Sequence, residues 1–232
     1  MIGLIDSGMG GLTTLAALLR AGCDHAFCYY ADVRNAPYGN KPRTEVMALV
    51  RDAVSLLEQR GAERVVLACN TASLVAKKYV QRTTSVGLWG VEPPIAEALR
   101  RGGKTLLVGT TLTVSHYRDT PYFRAVAMPS LATLIDRDYP DTRAAEAYCR
   151  ETLAGVDKVD NLILGCTHYV LIKDILRRIT GARTVLDGNE ALAEEVGKCP
   201  DGGRGVCIDV LTSGKVDEAR YKATLDALLG QN

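Results

Sequence analysis

Nine short apolar runs punctuate the 232-residue chain, at positions 2–5, 26–30, 65–68, 86–89, 105–108, 125–127, 162–164, 184–186 and 207–211. They are continuously apolar rather than alternating, which suits strands buried on both faces of a sheet. Helix-length patterns separate them, at 11–20, 43–59, 72–81, 95–101, 144–153, 171–179, 190–198 and 217–229. This alternation predicts an α/β fold with mainly parallel sheets and helices on both sides. Nine strands exceed one small sheet, and two runs, VVLAC ending at Cys69 and LILGC ending at Cys166, look like counterparts. The chain therefore reads as two similar doubly wound domains, residues 1–94 with 208–232 and residues 95–207, divided near Pro93-Pro94. Ligands of such sheets sit beyond the carboxyl ends of the strands. The polar residues there, Asp6-Ser7, Asp32, Cys69-Asn70-Thr71, Glu92, Gly109-Thr110, Cys166-Thr167-His168 and Asp187, are the ones to inspect.

Composition limits the partners. Basic residues number 28 against 27 acidic, a formal charge of +1, and Arg100, Arg101 and Lys104 at a solvated helix end are the nearest thing to a basic cluster. No nucleic-acid partner is expected. No apolar run reaches membrane-spanning length, and the opening MIGLIDSGMG lacks the basic stretch of a secretion signal. The expectation is a cytoplasmic protein with reduced thiols and no membrane partner. Seven cysteines form no C-x-x-C pair, and Cys23 and Cys28, with His25 between them, lack zinc-site spacing, so no metal is expected.

Most free cysteines are small buried hydrophobes, and Cys23, Cys28, Cys149, Cys199 and Cys207 are read that way. Cys69 and Cys166 differ by position: each closes an apolar strand where a helix begins, 97 positions apart (166 minus 69). A helix start favours a thiolate and offers N–H groups to an anion. His168, two residues beyond Cys166, can tune that thiol or shuttle its proton, whereas His25 and His116 read as surface or structural. DSGMGG, 6–11, is a weak match to a dinucleotide loop, with Thr13 at the third glycine position. It reads either as a turn with Ser7 or Asp6 as helix cap or as an anion loop carrying a carboxylate. APYGNK, 36–41, is a turn whose backbone N–H groups suit a carboxylate, and Thr110 and Thr113 are cap or ligand hydroxyls. Two thiols on opposite faces of one carbon would allow inversion: one takes a proton, the other gives one, and the roles exchange on the return. No pyridoxal-type or other cofactor is required.

Taken in order, IDSGMGGLT, ADVRNAPYGNK, VLACNTAS, GVEPPI, LLVGTTLTVS and LILGCTHYV resemble the cofactor-independent glutamate racemases over nearly the whole chain. The resemblance implies two similar α/β domains with the active site in the cleft between them. It implies Cys69 as the acid/base residue of the D-face, assisted by Asp6, and Cys166 as that of the L-face, assisted by His168. Ser7, Pro37, Tyr38 and Gly39 would lie along one substrate carboxylate, largely through backbone groups, and Asn70, Thr71, Thr110, Thr113 and Thr167 would hold the amino-acid end. It further implies L- and D-glutamate as substrates, an isomerase supplying D-glutamate to peptidoglycan and hence to cell-wall form, and self-association as a homodimer. The chain departs at Met128, where the family has cysteine, and at Asp136, one methylene shorter than the family's glutamate, leaving support from Asp136 open. LDGN at 186–189 replaces the more usual V-D-S, which leaves Asp187 a helix cap. The alternatives are an aspartate racemase, since one methylene gives only ~1–3 kcal/mol of discrimination, a thiol redox protein, or a non-catalytic anion-binding relative.

Overall fold

A computed structural model describes residues 1–197 and 205–230. Cys199 and the expected helix end at Lys198 lie outside the described residues. The first sheet is wholly parallel, in the order β4 (Gly87–Gly90), β3 (Arg64–Leu67), β1 (Ile2–Asp6), β2 (Ala26–Ala31) and β9 (Cys207–Thr212). The second, also parallel, runs β6 (Phe123–Ala127), β5 (Thr105–Gly109), β7 (Asn161–Gly165) and β8 (Thr184–Leu186). The helices are α1 (Leu12–Arg20), α2 (Arg43–Gln59), α3 (Asn70–Val80), α4 (Ile95–Arg101), α5 (Thr111–Val114), α6 (Leu131–Asp138), α7 (Arg143–Thr152), α8 (Thr167–Val170), α9 (Lys173–Thr180), α10 (Asn189–Gly197) and α11 (Glu218–Leu229).

Every residue of β1, β5 and β7 is buried, as continuous apolar runs between two helix layers require. Burying each of Leu162, Ile163 and Leu164, all fully enclosed, is worth about 1.5–3 kcal/mol. The edge strand β9 differs. Cys207 is exposed at its start rather than buried, because no strand flanks it on the outer side. Cys23, Cys28 and Cys149 are buried.

Sheet register sets the site. β1 pairs β3 from Ile2↔Arg64 to Ile5↔Leu67, so Asp6 and the Ala68-Cys69 pair emerge at the same end. β5 pairs β7 with Gly109 opposite Gly165, so Thr110 and Cys166 leave the second sheet side by side. α10 contributes Leu192, Ala193 and Val196 to the core built on β1, β2 and α1; the chain thus packs on the first sheet again ahead of residue 207. α6, α7 and α9 pack with β5 and β7 in the second core. No described helix is long and apolar enough to cross a membrane.

Candidate active site

β1 delivers Asp6 into the junction between the halves. Its Oδ1 accepts from the Gly8 N–H at 2.8 Å, and its Oδ2 accepts from the Thr167 hydroxyl at 2.9 Å, across the junction. With both oxygens engaged, Asp6 does not cap α1. That helix begins at Leu12 behind Gly11, with no side-chain cap, so the cap expected of Ser7 or Asp6 is replaced by the glycine turn itself. The glycines permit close approach: a Cβ at Gly10 would stand 2.6 Å from the His168 backbone nitrogen, and one at Gly8 would collide with the Asp136 carboxylate. Burial lifts the Asp6 carboxyl to about 6, against the opposing pull of His168, the Gly8 N–H and Thr167.

The two thiols have the same local setting. Cys69 is extended (φ −133°, ψ 120°) immediately before α3, and Cys166 is extended (φ −154°, ψ 132°) immediately before α8. They are 8% and 7% exposed, which leaves a narrow approach for a small ligand. Burial pushes the Cys69 thiol well above its ordinary range, and the Asp6 and Cys166 charges add to this; the Ala72 and Thr71 N–H groups pull the other way. Cys69 therefore rests as a thiol at neutral pH.

Beside Cys166, His168 Nδ1 stands 3.8 Å from Sγ, and Nε2 stands 3.1 Å from Asp136 Oδ2. Burial alone would strip the imidazole of its proton, but Asp136 and Cys166 outweigh it and hold His168 well above its usual value. Burial likewise opposes the Asp136 charge, and His168 outweighs it, so that carboxyl is lowered. Gly10 N also lies 3.3 Å from Nε2, yet one ring nitrogen cannot donate to Asp136 and accept from Gly10 at once. The nearer, ionised Asp136 carboxylate accepts the hydrogen bond from Nε2–H, and the raised pKa keeps His168 an imidazolium that faces Cys166 through Nδ1. Despite its shorter side chain, Asp136 reaches His168, because the Met9 N–H holds its Oδ1 at 3.1 Å.

Three hydroxyls form the adjoining wall. Thr71 Oγ1 lies 2.8 Å from Thr110 Oγ1 and 3.3 Å from Thr113 Oγ1, and Thr110 also caps α5 through the Thr113 N–H. Asn70 Oδ1 is buried with no partner, a state that costs about 1–3 kcal/mol unless a ligand supplies a donor. A cleft of about 390 Å³ opens on the His168–Asp136 side, lined by Ser7, Pro37, Asp136, His168, Arg220 and Tyr221 among others; neither thiol and none of these hydroxyls lines it. Tyr38 is fully buried and its hydroxyl donates to Asp32 Oδ2 at 2.7 Å, leaving only its backbone for a ligand. Gly39 backs onto the Thr110 side chain. Glu92 pairs with Lys77 at the surface, exposed His116 meets Arg43, and Asp187 accepts from the Asn189 N–H at the start of α10. None of these three enters the group around the thiols.

The helix α6 at Leu131–Asp138 is not among those the sequence pattern predicts. Its signals were slight: Leu131 and Ile135 at helical spacing, Ser130 before them and Pro140 after. α6 has eight residues, so its period is barely sampled. Arg220, which contacts α6 from α11, carried no signal at all.

Two parallel α/β halves that close on a pair of buried strand-end thiols define a class: two-lobed α/β proteins with the site at the lobe junction. The family model described as Asp/Glu/Hydantoin racemase matches residues 13–196. A glutamate racemase of Campylobacter concisus is 37% identical over 205 residues, 82% of this chain and 78% of that one. A glutamate racemase of Leptospira interrogans is 36% identical over 201 residues, 81% of this chain and 78% of its own. The crystal structure of the Thermus thermophilus glutamate racemase, in complex with β-chloro-D-alanine, superposes with a TM-score of 0.80 at 33% identity, covering 99% of this chain and 93% of that one. The chain belongs to the Asp/Glu/Hydantoin racemase family, among relatives named glutamate racemase.

Proposed function

We propose that the chain is a glutamate racemase, an isomerase that interconverts L- and D-glutamate by proton transfer at Cα between two cysteines, without a cofactor. One observation carries the reading: two buried thiols in matching strand-end positions, one on each half, each extended immediately before a helix. Acting as the base beside the His168 imidazolium, Cys166 takes the proton from L-glutamate onto its sulfur and ends the step as a thiol. The Cys69 thiol then gives its proton to the opposite face of Cα and becomes a thiolate, leaving D-glutamate. For the return, Cys69 is the base and Cys166 the acid. Asp6, with its carboxyl near 6, can hold a proton near neutrality and return it to Cys69 between turnovers. A Cα–H is a very weak acid, so the developing charge needs fixed donors. The Thr71, Thr110 and Thr113 hydroxyls suit the α-carboxylate, and the unpaired Asn70 oxygen suits the ammonium. D-glutamate made in the cytoplasm would feed peptidoglycan, and the enzyme would act as a homodimer, which sedimentation tests.

The experiment is incubation with L-glutamate, and separately L-aspartate, in D2O without added cofactor. Circular dichroism follows inversion and proton NMR follows the Cα–H signal. Inversion of glutamate with deuterium incorporated is the expected result. Preferential inversion of aspartate would replace the substrate assignment. Neither inversion nor exchange, in folded and reduced protein, would refute the reading.

A further inference from the structure

Arg220 sits in the first turn of α11, where Asp217 accepts from its backbone N–H at 3.0 Å. Its guanidinium leaves its own half and reaches the end of α6. Nη1 donates to the Arg137 carbonyl at 3.1 Å, Nη2 donates to the Asp136 carbonyl, and Nη2 also lies 3.3 Å from Met9 Sδ. Those carbonyls belong to the last turn of a two-turn helix, where they lack partners within the helix and carry its negative end. A helix this short does not hold its own shape. The side chain of the same Asp136 is tied back to the first half through Met9 N and forward to His168. Two of the three ties on Asp136, Arg220 on its carbonyl and Met9 on its carboxylate, therefore come from the first half of the protein.

We propose that Arg220 is a positioning residue: from α11 it fastens the last turn of α6 and so holds Asp136 against His168, which orders the Cys166 side of the site when the two halves are together. The proposal rests on the racemase reading. Arg137 does not substitute for it, being exposed and paired with Asp138. Without Arg220 the turn frays, Asp136 drifts, and the imidazole beside Cys166 loses its anchor. Cys69 and its partner Asp6 are not touched by the change.

The test compares Arg220→Met, Arg220→Lys and the unchanged protein. For Arg220→Met, kcat should fall about 10- to 100-fold, the size expected of a displacement near the chemistry, with KM changed far less. The deuterium isotope effect should rise with L-[2-²H]glutamate, whose proton Cys166 removes, and stay as it was with D-[2-²H]glutamate. Iodoacetamide labelling, mapped by peptide mass spectrometry, should slow at Cys166 and not at Cys69. Arg220→Lys should recover part of each change. A merely structural role would lower folded protein or rate while leaving both isotope effects and the Cys166 to Cys69 labelling ratio unchanged, and that result overturns the proposal. If Arg220→Met fails to fold, Arg220→Lys carries the same readouts, and a wild-type pattern in it is equally fatal. Should the unchanged protein not racemise glutamate, the racemase reading falls, and the labelling ratio still decides whether Arg220 orders Cys166.

Discussion

Replacing Asp6 with asparagine should make the protein more stable and nearly inactive, and the stability gain should depend on pH. Asp6 is fully buried, and its carboxyl is raised from 3.8 to about 6, chiefly by burial. At about 1.36 kcal/mol per pKa unit, keeping this carboxylate charged costs the folded state about 3 kcal/mol. The sign follows from proton uptake. Below 3.8 both folded and unfolded chains hold the proton and no penalty exists. Between 3.8 and 6 the folded chain binds more protons than the unfolded one, so stability falls as pH rises, and above 6 the full penalty remains. Asparagine keeps an acceptor for the Gly8 N–H, but the Thr167 hydroxyl must turn to accept from the amide, a loss of about 1 kcal/mol. The net gain at pH 8 is then about 2 kcal/mol, and the penalty it removes is only about half developed at pH 5. Urea unfolding of both proteins at pH 5 and pH 8 reads the difference, and racemisation of glutamate reads the loss of function. A variant that is less stable than the parent at pH 8, or whose stability difference is the same at both pH values, would refute the assignment of a strained carboxylate at Asp6.

The remaining predictions concern the thiols and their partner. Cys69→Ser and Cys166→Ser should each cut racemisation at least about 10³-fold, since a hydroxyl is a far weaker acid than a thiol, with unchanged circular dichroism in the far ultraviolet; either variant retaining a tenth of the rate would exclude its cysteine as a proton carrier. His168→Ala should lower kcat about 10²-fold. Because the equilibrium constant of a racemisation is one, kcat/KM must fall equally in both directions. The partnership with Cys166 therefore shows in the isotope effect, which should grow for L-glutamate alone; equal growth for both enantiomers would detach His168 from Cys166.

Much of the fold was legible before any coordinate, because period and composition are local. Continuous apolar runs marked the nine strands of the described residues, and the same runs placed Cys69 and Cys166 at strand ends. α6 escaped because eight residues offer only two helical turns, too few for a period to rise above chance. Cys207 was misread because its apolar strand gave no sign of being an edge.

The sequence by itself determined the alternation of strand and helix, the two cysteines at strand ends, and the glycines that let the chain pass close to its neighbours. Only the tertiary structure decided which groups meet. The Thr167 hydroxyl finds Asp6 across 161 positions, and Arg220 lies against Met9 across 211. Nothing in the local pattern of either partner encodes such a pairing. The approach of the two halves brings them together; burial at that junction raises Asp6 and Cys69, while the contact between His168 and Asp136 makes them a charged pair against the pull of burial. Those charge states are properties of the junction, because each depends either on water being excluded there or on a charged partner brought within reach.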